Sequence, residues 1–141
     1  MFKPWKPLEE SLGNNPGLDV RVEDRSVTIV WEEGRNGQCI FRMRIAFEQC
    51  LASLMLWDES PIDFPPGRLP HESFDPSHSD PCSAWVERSS AVRDQYGEYG
   101  QMLYKRIDRY YFIGQSTVVL LDVADAEPTV TIEVPRTAAA W

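Results

Sequence analysis

The chain has little of what most chemistry requires. Only two histidines, His71 and His78, occur in 141 residues, so a histidine base for a serine, cysteine or threonine nucleophile could come from one short stretch alone. That stretch is rich in proline and would hold a catalytic imidazole poorly. The three cysteines, Cys39, Cys50 and Cys82, have 10 and 31 residues between neighbours, which makes neither a Cys-x-x-Cys metal pair nor a disulfide framework. Cys39 and Cys50 adjoin apolar runs and are read as reduced, small core hydrophobes. Gly13, Gly17, Gly34 and Gly37 form neither GxGxxG nor GxxxxGK[ST], which excludes a phosphate cradle of those kinds.

Positive charge is also scarce. Lys and Arg number 14 against 22 Asp and Glu, a net charge of -8, and this argues against a nucleic-acid binder held by phosphate contacts. It favours a basic partner. The longest uncharged apolar run, 113–121, is interrupted by Gly114-Gln115-Ser116-Thr117 and falls short of the roughly 20 apolar residues of a membrane span. Met1 to Pro7 is not followed by the apolar stretch of about 7–15 residues that a secretory signal needs. The expectation is a cytoplasmic protein with no membrane contact.

What the chain does have is strand pattern. Residues 1–17 hold Pro4, Pro7, Pro16, Gly13 and Gly17 and read as an irregular N-terminal arm. From Leu18 the character changes: Leu18, Val20 and Val22 alternate with polar residues, and Ser26 to Glu32 is β-branched and aromatic, so two strands joined by a tight turn are expected. Asn36-Gly37 is a hairpin signal. It leads into Gln38 to Phe47, where Cys39, Phe41, Met43, Ile45 and Phe47 share one face and Arg42 and Arg44 the other. A strand over Ala52 to Trp57, a short one over Ala84 to Arg88, and a helix from a Ser89 or Ser90 cap through Ala91 to Tyr96, limited by Gly97 and Gly100, follow. Ile107 to Ile113, Thr117 to Val123 and Thr129 to Val134 read as a C-terminal meander, and residues 135–141 as a loose tail. The sum is an α+β domain over residues 18–134, predominantly an antiparallel, curved β-sheet of six to eight strands with one or two short helices. A doubly wound fold is excluded because strands do not alternate with helices of about 10–15 residues.

Residues 58–82 carry six of the 11 prolines. They also carry Asp58, Glu59, Asp63, Glu72, Asp75 and Asp80 against Arg68 alone, a local charge of -5. A loop of this length inside a small domain tends to be either functional or disordered. His71, Glu72, Asp75, His78 and Asp80 are donors that could collect a cation, but the spacing fits no template, so no metal and no cofactor is expected. The carboxylate pairs Glu32-Glu33 and Asp58-Glu59 read as solvated strand ends. All five tyrosines, Tyr96, Tyr99, Tyr104, Tyr110 and Tyr111, lie within 16 residues beside Lys105, Arg106 and Arg109. Three readings fit that segment: a stacking platform, core aromatics with wet hydroxyl tips, or a protein interface.

The order of parts resembles small, single-domain bacterial immunity proteins of polymorphic toxin systems. The resemblance covers about residues 26–134 and rests on Ile45-Ala46-Phe47, on Trp57-Asp58-Glu59, on Trp85-Val86-Glu87-Arg88-Ser89-Ser90, and on Arg109-Tyr110-Tyr111-Phe112-Ile113 leading to Val118 to Val123. It implies a non-enzymatic, toxin-binding protein that occludes its partner's active site. The acidic surface suits a cationic, toxin-like partner. The contact residues expected under this reading are Asp58, Glu59, Asp63, Glu72, Asp75, Asp80, Tyr99 and Tyr104. Two other classes fit the sequence: an adaptor subunit of a larger assembly, and a small-molecule-binding domain or enzyme with a pocket lined by Trp31, Trp57 and Trp85.

Overall fold

The computed structural model describes residues 2–8, 12–13, 16–57 and 83–136. In chain order they form strands β1 (Lys3–Pro4), β2 (Gly17–Glu23), β3 (Ser26–Arg35), β4 (Gln38–Phe47), β5 (Cys50–Trp57) and β6 (Ala84–Glu87), helices α1 (Ser90–Asp94) and α2 (Gly97–Leu103), and strands β7 (Ile107–Ile113), β8 (Thr117–Ala124) and β9 (Thr129–Val134). The fold is mostly antiparallel β with two short helices, which agrees with the α+β expectation. The strands do not make one curved sheet. They divide into a five-stranded sheet in the order β1-β6-β7-β8-β5 and a four-stranded sheet in the order β2-β3-β4-β9.

The period of two decides how the sheets meet. Val27, Ile29 and Trp31 on β3 pair with Phe47, Ile45 and Met43 on β4, and all six point to one face and are buried. From the other sheet Tyr110 and Phe112 on β7 and Val119, Leu121 and Val123 on β8 join them in one core. Aromatic edges lock the layers: Phe47 lies 4.9 Å from Tyr110 between ring centroids, and Trp31 lies 6.5 Å from Phe112. Asn36 and Gly37 both adopt positive φ, 53° and 75°, as the tight β3–β4 hairpin requires.

Several expectations change. The three C-terminal strands are not a meander, because β9 crosses to the other sheet and pairs with β4. The crossing begins at Asp125, whose carboxylate accepts the backbone N–H of Lys105 at 3.0 Å and of Arg106 at 2.8 Å, and Pro128 then ends any continuation of β8. The described part of the N-terminal arm is not loose. Lys3–Pro4 adds to β6, and Phe2 and Trp5 are buried, since two large aromatics have more to gain from burial than the arm loses in freedom. The stretch after Gln49 is a strand from Cys50, longer than the Ala52 start implied.

The first helix ends at Asp94 with Gln95 as its C-cap, short of Tyr96, and a second helix starts at Gly97, with φ of 67°, and holds Gly100 in its interior. A Cβ on Gly100 would stand 2.4 Å from Tyr96 Cβ, so the missing side chain permits a close approach that propensity alone would disfavour. Trp31 and Trp85 cannot line one pocket. Trp31 lies between the sheets, whereas Trp85 lies on the far face of the five-stranded sheet with Phe2, Tyr111 and Val118; the Trp57 side chain is outside the described part.

Candidate interaction surface

The far face of the five-stranded sheet carries the helices. Arg109 on β7 sits directly opposite Asp122 on β8, and its Nε and Nη2 donate to the two carboxylate oxygens at 2.7 and 2.9 Å. Tyr96, between the helices, donates its hydroxyl to the same carboxylate at 2.5 Å. Burial, and then the bond to Asp122, raise the Tyr96 hydroxyl well above the usual tyrosine range, and the Asp122 bond raises the Arg109 guanidinium. Tyrosine therefore stays neutral and arginine charged. Val92 of α1 is buried, and Arg93 Nη1 reaches the Lys105 carbonyl at 2.9 Å.

Tyr96 is the N-cap of α2, and within that helix only Gly100 is buried. Tyr99, Met102 and Leu103 are 77%, 80% and 61% exposed, and their i, i+3, i+4 spacing puts them side by side on one helical face. Of the sequence-predicted contacts, Tyr99 stands in this ridge and Tyr104 is half-buried at the C-cap of α2. Asp58, Glu59, Asp63, Glu72, Asp75 and Asp80 lie outside the described residues, as do His71, His78 and Cys82. The five tyrosines do not form one stacking platform. Tyr110 and Tyr111 are buried on opposite faces of β7, and Tyr96 is tied to Asp122.

Two further polar groups lie elsewhere. Asp108, almost fully buried, takes Nη1 of Arg88 and Nε of Arg106, each at 2.8 Å. Both arginines also reach Glu127, at 2.7 and 2.9 Å. Burial raises the Asp108 carboxyl above its ordinary range in spite of the two cations. The second group corrects the expectation that Glu33 is a solvated strand end. It follows Val27, Ile29 and Trp31 on the inward side of β3 and is buried, where it accepts Trp31 Nε1 at 2.7 Å, the Gly13 N–H at 2.9 Å and Arg136 Nη2 at 2.5 Å. Arg136 also lies over the Phe41 ring, 4.0 Å from its centroid. Residue 136 is therefore packed and not part of a loose tail.

Sequence reasoning missed these networks, yet a signal was present. Asp108 and Asp122 each interrupt an apolar strand, and a charge within such a run needs a partner. Met102 and Leu103 were missed because the helix was expected to stop near Tyr96. Among the described residues no three His, Cys, Asp or Glu side chains are grouped to hold a metal ion. Cys39 and Cys50 are free thiols, and burial pushes the Cys50 thiol up to about 11. Among the described residues no helix is long and apolar enough to cross a membrane. Comparison with protein-family models, curated proteins and solved structures finds no match for this chain.

Proposed function

We propose that the chain is a non-enzymatic protein-binding domain whose partner contact centres on Tyr99, Met102 and Leu103 of α2. The observation that carries this reading is the exposure of those three large side chains, side by side on a helix whose N-cap residue, Tyr96, is bonded to Asp122 of the sheet. Tyr and Met are favoured in interface cores, and a ridge of this kind fits an apolar groove on another protein. The net charge of -8 favours a basic partner by steering its approach. The narrower form of the proposal is an immunity protein that occludes a cationic toxin, with Asp58, Glu59, Asp63, Glu72, Asp75, Asp80 and Tyr104 completing the contact. Free thiols at Cys39 and Cys50 suit the reducing cytoplasm in which such a protein would act.

The test starts with recovery of the native partner by affinity capture and identification of the genes that flank this one. The double variant Tyr99→Ala/Met102→Ala is then titrated with that partner. A hot-spot pair should weaken binding by about 30-fold or more, with the melting temperature little changed because both side chains are exposed. Equal affinity for variant and wild type would remove α2 from the interface, and a flanking gene product that is neither toxic nor bound would remove the immunity role.

A further inference from the structure

The N-terminal arm and the last described residue meet at one carboxylate. Glu33 lies 20 positions from Gly13 and 103 from Arg136 along the sequence, yet it bonds both. Its Oε2 accepts the Gly13 N–H and Trp31 Nε1, and its Oε1 accepts Arg136 Nη2. The ion pair is buried, with the Arg136 and Glu33 side chains only 5% and 8% exposed.

Neither bond is independent of the other. Arg136 is the cation bonded to Glu33, and a buried carboxylate that loses its cation is driven to turn toward water. A carboxylate that turns away drops the Gly13 N–H. That amide belongs to a short stretch of arm between Leu12, packed against the core, and Pro16, whose carbonyl accepts the Gln115 N–H at 2.9 Å. The influence also runs the other way. A Cβ on Gly13 would stand 2.7 Å from Glu33 Oε1, the oxygen that holds Arg136, so the missing side chain at residue 13 is what lets arm and arginine share the group. The closed arrangement covers apolar surface as well: the Arg136 guanidinium lies 4.0 Å from the centroid of the Phe41 ring, and Phe41 and Trp31 are fully buried.

We propose that Glu33 is a clasp through which the C-terminal segment controls the N-terminal arm. Arm and C-terminal segment open and close as one strap beside Trp31 and over Phe41. Whatever withdraws Arg136 also releases Leu12 and Gly13, and whatever lifts the arm loosens Arg136 by the same free energy, because coupling between two sites is reciprocal. The clasp is separate from the α2 ridge and does not rest on what the chain binds.

Both ends can be read on the full-length chain. Exchange of the Gly13 amide, followed by NMR, reports release of the arm. Tryptic cleavage after Arg136 reports release of the other end, because the protease must take the arginine side chain out of its contacts. In the unmodified chain the two readings should give the same opening equilibrium, at a lower free energy than global unfolding. Arg136→Met, which keeps an apolar chain over Phe41 and removes the charge, should speed Gly13 exchange about tenfold or more, and Gly13→Ala should speed cleavage after Arg136 by a similar factor. Adding Glu33→Gln to Arg136→Met removes the stranded charge and should bring Gly13 exchange back to within about threefold of the unmodified chain, which a mere loss of packing would not allow. Arg44→Met, which breaks an ion pair elsewhere on β4, should leave both readings unchanged. Gly13 exchange indifferent to Arg136→Met, cleavage indifferent to Gly13→Ala, or a double variant as loose as Arg136→Met would overturn the proposal. So would unequal opening equilibria in the unmodified chain, or opening that occurs only with global unfolding; these need no variant and decide the matter even where Gly13→Ala fails to fold.

Discussion

The two sheets share one core but live in different surroundings on their outer faces. The five-stranded sheet is covered on both sides: its far face holds Phe2, Trp85, Tyr111 and Val118 as a second apolar cluster, with α1 packed against β7 beside them. The four-stranded sheet is covered on one side only, and its far face carries the pairs Arg42–Glu32 and Arg44–Glu133, with each side chain 32–48% exposed. The same kind of bond therefore has two meanings. Asp122, with a side chain only 4% exposed, has no water to fall back on, whereas Glu133 has. A charge pair gains little net energy in either place, but losing one partner of a buried pair leaves a desolvated charge behind.

The largest expected effect follows from that asymmetry. Asp122→Ala strands the Arg109 guanidinium and the Tyr96 hydroxyl on the covered face, and should cost about 3–5 kcal/mol in urea or guanidinium unfolding. Because Tyr96 ties the helices to the sheet, hydrogen exchange in α1 and α2 should accelerate more than exchange in β3 or β4. A loss under about 1 kcal/mol would show that the two outer faces are energetically alike. The next effect tests the covering itself. Gly100→Ala places a methyl group in the space held by Tyr96 Cβ, and such overpacking should cost about 1–3 kcal/mol. Its damage should appear in the Tyr96–Asp122 bond, read as a downward movement of the Tyr96 titration.

The contrast also explains what was legible in the sequence. A strand with one wet face alternates, so β3 and β4, with Val27, Ile29 and Trp31 or Phe41, Met43, Ile45 and Phe47 against polar neighbours, announced both their type and their inward residues. A strand covered on both faces does not alternate. β7 and β8 read as nearly continuous apolar runs, which identifies a strand but hides which residues face the core and which face the helices. That is why platform, core and interface all fitted Tyr110 and Tyr111, and why the division into two sheets was invisible: β8 and β9 are joined by a short connection that fits a hairpin as well as a crossover. The candidate surface was legible only at Tyr99. Met102 and Leu103 depended on a second helix that starts at one glycine and runs through another, and the close approach of Gly100 to Tyr96 is not written in propensity.

A smaller effect separates Asp108, the third buried carboxylate, from Asp122. Burial raises the Asp108 carboxyl in the folded state above its value of 3.8, so on acidification the folded state takes up this proton before the unfolded state does. Its contribution to stability is accordingly largest below the unfolded value and is lost as pH rises through the folded one. Asp108→Asn removes that contribution, and its stability should fall more steeply than that of the wild type between pH 7 and pH 4. The difference in slope is bounded by about 1.4 kcal/mol per pH unit, the value for one proton. Denaturation midpoints measured across this window check it, and a variant with a shallower slope than the wild type would reverse the assignment.

The smallest expected effect belongs to the uncovered face. Glu133→Ala breaks the ion pair with Arg44, but both side chains remain in water, so the loss should be about 0.2–1 kcal/mol at low ionic strength. It should shrink further as salt is raised toward 1 M, where screening acts over about 3 Å. The Asp122→Ala loss should persist in the same salt, because the Asp122 side chain is only 4% exposed and a buried pair is screened much less. Parallel salt titrations of the two variants therefore sharpen the comparison more than either value alone. If both losses faded together, the helices would not be shielding the face they lie on, and the α2 ridge would lack the rigid support on which its role as a docking element depends.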